Sequence, residues 1–388
     1  MKLDLTPEQQ ALVGRAGELA RQRFAPRAER YDRAAAFPAE DFDDLFAAGL
    51  HAPTVPREHG GLGLGPYRGD AFTLWMMTKE LAKADLSLGR CWEGHANSLL
   101  LLDAMASPEQ QARWFRRVVE RGEKWVVWSG EPAKIGTTLE PVDGGWVVEG
   151  SKVFATSAGG AQWAILLVNT AGPGGARHTT SPETLLMLAC ELADPTIEVD
   201  GTWWDPVGMR GTVSHLVRFR RTFIPADHQI GEPGQYLSGG WQAAFAPHYA
   251  ASFLGAAEGA CEYALEQLAA AGKGDDPYVQ HHVARMSIHL DTAHLWLRHV
   301  ADLWDAGRRE EAMLAGSRAR HLVEHLAEDT VHHAIRACGA RSLIRPSPLE
   351  RILRDLTFYI RHDNDDQVLA TIGRAVLGQP FDVSFYKP

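Results

Sequence analysis

The chain has 388 residues, a formal charge of −10 and 45% hydrophobic residues, the profile of a soluble globular protein with room for two or three domains. No basic tract offsets the acidic balance, which argues against a nucleic-acid or anionic-membrane surface. Cys91, Cys190, Cys261 and Cys338 stand far apart with no CxxC pair, as free thiols in a reducing compartment do. With neither an apolar N-terminal run nor a stretch long enough to span a bilayer, the expected location is cytoplasmic.

Thr6-Pro7-Glu8-Gln9 is a helix start, with an N-cap, proline in the first turn and a capping-box glutamine. The helix should run towards Phe24. His59-Gly60-Gly61-Leu62-Gly63-Leu64-Gly65 resembles a phosphate loop, but Pro56 and Pro66 bracket it between helices, so it reads as a helix-joining turn. Leu74 to Met105 is apolar enough for a pair of core helices. Ser107-Pro108-Glu109-Gln110 repeats the first start signal ahead of Trp114, Phe115 and Val118.

From Trp125 the pattern changes to short β-branched and aromatic runs separated by turns. These are Trp125–Trp128, Trp146–Val148 after Asp143-Gly144-Gly145, Lys152–Phe154 after Gly150, Ala164–Val168 and Leu216–Phe219. Such spacing predicts a small antiparallel β domain, with Gly172–Ala176 as a flexible loop. After Gly234 helical periodicity returns in Tyr249–Ala270, Val279–Ala306, Glu310–Cys338 and a terminal segment. His321 and His325 lie one turn apart with Asp329 and His332 beyond. No second such motif exists, so they read as a partly exposed helix face and no metal site is expected. The fold class is therefore α+β, mostly α: an N-terminal helical domain (1–121), a middle antiparallel β domain (122–234) and a C-terminal four-helix bundle (235–388).

Near the end, Arg354-Asp355 leads into the apolar run Leu356–Ile360. That run stops at His362-Asp363-Asn364-Asp365-Asp366. A His-Asp pair at the mouth of a buried segment is where a perturbed acid or base is expected. Arg354-Asp355 reads as a structural pair anchoring the last helix, and Asp365 and Asp366 as its solvated continuation.

The order of these segments resembles the acyl-CoA dehydrogenase superfamily of flavoenzymes over nearly the whole chain. Val55–Gly63 is similar to the family's Pro-x-x-x-Gly-Gly-x-Gly turn, and Ala106–Gln111 to its Gly-Ser-x-x-Gln helix start. Gly130-Glu131-Pro132 stands at the Thr-Glu-Pro position, and Glu149–Ser157 is similar to Asn-Gly-x-Lys-x-Trp-Ile-Thr-Asn. Gly208–Thr212 and Phe223–Pro225 follow, and Arg351-x-x-Arg354-Asp355 matches the last helix. The resemblance implies a flavin, FAD or FMN, between β domain and bundle. It would be held by Trp128, Ser129, Phe154, Thr156 and Ser157, with Thr156 as a fixed donor at flavin N5. It also implies a homodimer or homotetramer.

The departures are specific. The pyrophosphate loop shrinks to Ala133-Lys134-Ile135-Gly136. The Arg-x-x-Phe-Gly motif gives way to Val279–Val283, and the Gly-Gly-x-Gly-Tyr segment to Cys338–Ser342, which is consistent with FMN or an altered FAD site. The catalytic glutamate falls on Asp363 and its tyrosine on His362. This pair, with Gly211-Thr212-Val213-Ser214-His215, resembles the flavin monooxygenases of the superfamily, the dibenzothiophene sulfoxidases and amine N-hydroxylases. Two activities follow. One is a two-component monooxygenase using O2 and reduced flavin from a separate reductase, with His362 exchanging protons and Asp363 orienting it. The other is an acyl-CoA dehydrogenase with Asp363 as base, an acyl-thioester substrate and an electron-transfer flavoprotein as acceptor. His95, Arg210, Ser214 and His215 are expected on the substrate, and Trp92, Trp203, Trp204 and Trp241 could form an aromatic pocket.

Overall fold

The computed structural model describes residues 5–132, 136–169, 184–362 and 365–383. Most of the shortened loop at 133–136, the glycine-rich segment 172–176 and Asp363 lie outside them. Thr6 and Ser107 both close capping boxes, so local sequence sets where their helices begin. The first half is α1 (Pro7–Leu19), a π-turn (Ala20–Phe24) leading on into α2 (Ala25–Ala34), α3 (Ala39–Ala47), α4 (Ala71–Ala84), α5 (Leu86–Met105) and α6 (Pro108–Arg121).

The strands are β1 (Trp125–Trp128), β2 (Thr138–Val142), β3 (Gly145–Ala155), β4 (Trp163–Asn169), β5 (Leu185–Glu191), β6 (Ile197–Asp200), β7 (His215–Pro225) and β8 (Gln229–Ile230). They form two sheets in the orders β1-β4-β5-β8 and β2-β3-β7-β6. Every pairing is antiparallel except β1 with β4. That pair is parallel because the chain leaves the sheet between them, through β2 and β3 of the other sheet, and comes back beside Lys124 at the end where β1 began. The runs Trp146–Val148 and Lys152–Phe154 are halves of one strand, β3, whose register against β7 shifts at Gly150. Gly150 has φ +120°, and a Cβ there would stand 2.2 Å from the Gly136 carbonyl, so the bulge needs glycine.

The last third is α7 (Gln235–Ser238), α8 (Trp241–Ala270), α9 (Pro277–Asp305), α10 (Arg309–Cys338), α11 (Pro348–Tyr359) and α12 (Asp365–Val376). The alanine- and glycine-rich part of α8 packs within the chain: a Cβ on Gly255 would lie 2.4 Å from the Lys79 carbonyl of α4. One apolar core runs through the N-terminal helices, the bundle and the inner face of the first sheet. A smaller one fills the space between the two sheets. Among the described residues no helix is long and apolar enough to cross a membrane.

Candidate active site

Two cavities, of about 590 and 570 Å³, lie where the β region meets the helices, and both are lined by Arg90, Val127, Ser129, Thr156 and His362. Phe154, Trp204, Thr212, Ser214 and Phe358 line the second alone; Asn97, Phe245, Tyr249 and Gln367 line the first alone.

The β side is built by two strained turns that grip each other. In the last residues of β3 and just past it, Phe154 and Ser157 have φ of +51° and +63°; in the turn before β7, Met209 and Val213 have +57° and +41°. Left-handed backbone costs a residue with a side chain ~1–2 kcal/mol, and a β-branched valine there is a true outlier. The Ser157 amide donates to the Thr212 carbonyl at 2.8 Å, and the Trp128 indole donates to the Thr156 carbonyl at 3.0 Å. The last helix clamps the second turn. Asp355 accepts the Met209 amide at 2.6 Å, and a Cβ on Gly208 would meet the Arg354 carbonyl at 2.2 Å. Strain held this way, at a cavity wall, is typical of a functional site. From it hangs a chain of buried hydroxyls, Thr156 to Ser214 at 3.0 Å, Ser214 to Thr212 at 2.8 Å, and Thr212 to the Met209 carbonyl at 2.9 Å. Phe154, 58% exposed, presents its ring beside Trp203 and Trp204.

The helical side is built from charge. On α5, Arg90 donates to Glu93 at 2.8 Å, and Glu93 also accepts the Tyr359 hydroxyl at 2.5 Å and the Ser252 hydroxyl at 3.4 Å. Glu93 is fully buried. Burial pushes its carboxyl above the usual range, with the Arg90 charge pulling the other way. Burial, then the Glu93 charge, holds the Tyr359 phenol well above its ordinary value. Arg90 Nη2 lies 3.3 Å from His362 Nε2. A guanidinium only donates, so this nitrogen of His362 accepts and the ring carries its proton on Nδ1. The His362 ring centroid is 5.1 Å from that of Tyr249 and 6.0 Å from that of Tyr359.

His362, Ser129, Phe154, Thr156 and Ser214 thus meet at the cavities, while Trp128 and Ser157 support them from behind. His95, Arg210 and His215 line neither cavity. His95 is buried and spends both nitrogens on backbone, accepting the Trp125 amide at 3.0 Å and donating to the His51 carbonyl at 2.9 Å. Arg210 reaches the Asp32 carbonyl and the Asp205 carboxylate. His215 packs by Gly159 and Gly201. Arg354 and Asp355 are not each other's partners: Arg354 grips Asp32 at 2.7 and 3.1 Å, and Asp355 holds Met209. Nor is Asp365 simply solvated, since it pairs with the buried Arg320. Of the tryptophans, only Trp204 lines these cavities. Arg90, Glu93 and Asn97 carry no family motif, yet polar residues at i, i+3 and i+7 of an otherwise apolar helix are a signal the sequence did contain.

Two family models match the chain, acyl-CoA dehydrogenase N-terminal domain over residues 6–122 and acyl-CoA dehydrogenase C-terminal domain over residues 248–365. Dibenzothiophene monooxygenase of Mycolicibacterium goodii is 28% identical, with 95% of this chain and 94% of that protein covered. Cyclohex-1-ene-1-carbonyl-CoA dehydrogenase of Geobacter metallireducens is 25% identical, with 96% and 99% covered. Among solved structures, TdsC of Paenibacillus sp. A11-2 with FMN and indole superposes with a TM-score of 0.86 at 26% identity, covering 97% of this chain and all of that one. Both kinds of oxidoreductase therefore share this architecture, and the chain belongs to the acyl-CoA dehydrogenase family.

Proposed function

We propose that this chain is a flavin-dependent monooxygenase using FMN, which a separate reductase supplies in reduced form. The observation that carries the reading is His362 on the wall common to both cavities, its Nε2 held by Arg90. The residues present fit a flavin. The exposed Phe154 face suits a flat heteroaromatic ring, and Ser129, Thr156 and Ser214 offer hydroxyls to its polar edge. When bound, reduced flavin supplies the two electrons needed to split O2 between substrate and water.

The chain's own residues do the rest. Phe154, Trp204 and Phe358 give the second cavity apolar walls that exclude water. His362 gives its Nδ1 proton to the reacting heteroatom as Nε2, released by Arg90, takes one up, the work of a general acid–base. Arg90 holds its tautomer, and Glu93 balances the Arg90 charge. The Arg90 guanidinium at the wall, paired behind it with the buried Glu93, is poor company for an acyl tail, because an apolar group there would complete its desolvation. This favours oxygenation over acyl-CoA dehydrogenation.

The test supplies reduced FMN, isotopically labelled O2 and a panel of sulfur and nitrogen heteroaromatics, dibenzothiophene and indole among them. The expected result is a product heavier by one labelled oxygen atom. Unlabelled substrate throughout, with FMN simply reoxidised, would overturn the proposal.

A further inference from the structure

The hydroxyl chain has a direction, and the direction follows from counting protons. Thr156, Ser214 and Thr212 make three close oxygen–oxygen contacts of 3.0, 2.8 and 2.9 Å, the last to the Met209 carbonyl. Oxygens this close repel unless a proton lies between them, so three contacts need three protons. Three hydroxyls hold three protons and a carbonyl holds none. Only one assignment works: Thr212 donates to the Met209 carbonyl, Ser214 donates to Thr212, and Thr156 donates to Ser214.

Thr156 has then spent its single proton away from the cavity. What its oxygen offers the cavity is a lone pair. The expectation that Thr156 is a donor there is reversed by the two hydroxyls behind it. All three side chains are buried, at 9%, 4% and 2% exposed for Thr156, Ser214 and Thr212, so bulk water is poorly placed to scramble the order. The four left-handed residues around them fix the spacing.

A flavin carries an unprotonated N5 when oxidised, which can only accept, and an N5–H when reduced, which donates. We infer that the Thr156–Ser214–Thr212 chain makes this site selective for reduced flavin, with Thr212 and Ser214 as positioning residues that set Thr156 as an acceptor. This rests on the flavin reading above and adds to it the residues that set the preference for the reduced form. A site so polarised takes the reduced cofactor from its supplier and releases the oxidised one after turnover.

The experiment titrates the protein with reduced FMN under anaerobic conditions and with oxidised FMN, following intrinsic tryptophan fluorescence. The reduced form should bind at least about tenfold more tightly, a difference of the size that one hydrogen bond gained against one acceptor facing another produces. Thr212→Val removes the sink for the chain and frees Thr156 to donate. The preference should shrink about fivefold or more, while Thr212→Ser, which keeps the hydroxyl, should restore it. The Met209 carbonyl keeps the Thr212 amide at 3.1 Å in either variant, so the turn retains a backbone bond. Equal affinity for both redox states in the native protein, or an unchanged ratio in Thr212→Val, would overturn the assignment while leaving flavin binding intact. Failure of both FMN forms to bind would overturn the flavin reading, and this inference with it.

Discussion

The β side of the site keeps its shape with neutral hydroxyls and strained backbone, whereas the helical side keeps its shape with buried charge. Each choice follows from what surrounds it. In the turns at the end of β3 and before β7 the left-handed residues are buried apart from the Phe154 ring, and these turns are clamped by Asp355 and Trp128. α5 runs through the main apolar core, where Arg90 and Glu93 can exist only as partners. The first side fixes the direction of a hydrogen bond; the second fixes a histidine tautomer. The two devices should fail in different ways.

The largest expected effect comes from His362→Ala, which removes the proton-exchanging group without opening the core. Oxygen transfer with reduced FMN should fall about 10²–10⁴-fold, while thermal unfolding moves little because His362 is exposed. If transfer survives within threefold (on the order of 1 kcal/mol or less in barrier), the helical side does not hold the reacting group. Next in size, Glu93→Leu strands Arg90 in the interior and should destabilise the fold by ~3–5 kcal/mol in denaturant unfolding. Thr212→Val on the β side should cost only ~1 kcal/mol. Equal losses would erase the contrast between the two sides.

Much of this was legible in the sequence, for reasons that are local. Capping boxes at Thr6 and Ser107 depend on neighbours three residues apart, and both form. The runs at Trp125 and Ala164 became strands because their composition suits nothing else. The parallel β1–β4 pairing was not legible, since it depends on how far the chain travels between strands. The site divides the same way. Thr156, Ser214 and His362 sit in motifs, so their positions could be read. Arg90 and Glu93 matter because α5 meets α11 and α8 in space, and His95 fails as a substrate contact because its partners, Trp125 and His51, are distant in sequence.

The seam between the two sides gives a smaller, pH-dependent test. The His51 and His95 rings lie 4.5 Å apart, tilted by 33°, where α5 meets β1. Burial pushes the His51 imidazole from 6.5 down to about 4, and burial followed by the His51 charge drives His95 well below its ordinary value. Unfolded, both take up protons below pH 6.5; folded, they resist. The folded state therefore binds fewer protons, and stability present above pH 6.5 is lost as pH falls towards 4. His51→Gln should reduce the slope of unfolding free energy against pH by about 1.4 kcal/mol per pH unit, one proton's worth. An unchanged slope would show that His51 is protonated in the fold.

The central claim, that this family architecture serves oxygen chemistry here, has one direct test. FMN-loaded protein is mixed anaerobically with a series of acyl-CoA thioesters of short to medium chain length, and the visible flavin absorbance is followed. An oxygenase with the Arg90 guanidinium at its cavity wall should show no bleaching with any of them. Bleaching by an acyl-CoA, with no reductase present, would contradict the claim and identify the chain as a dehydrogenase.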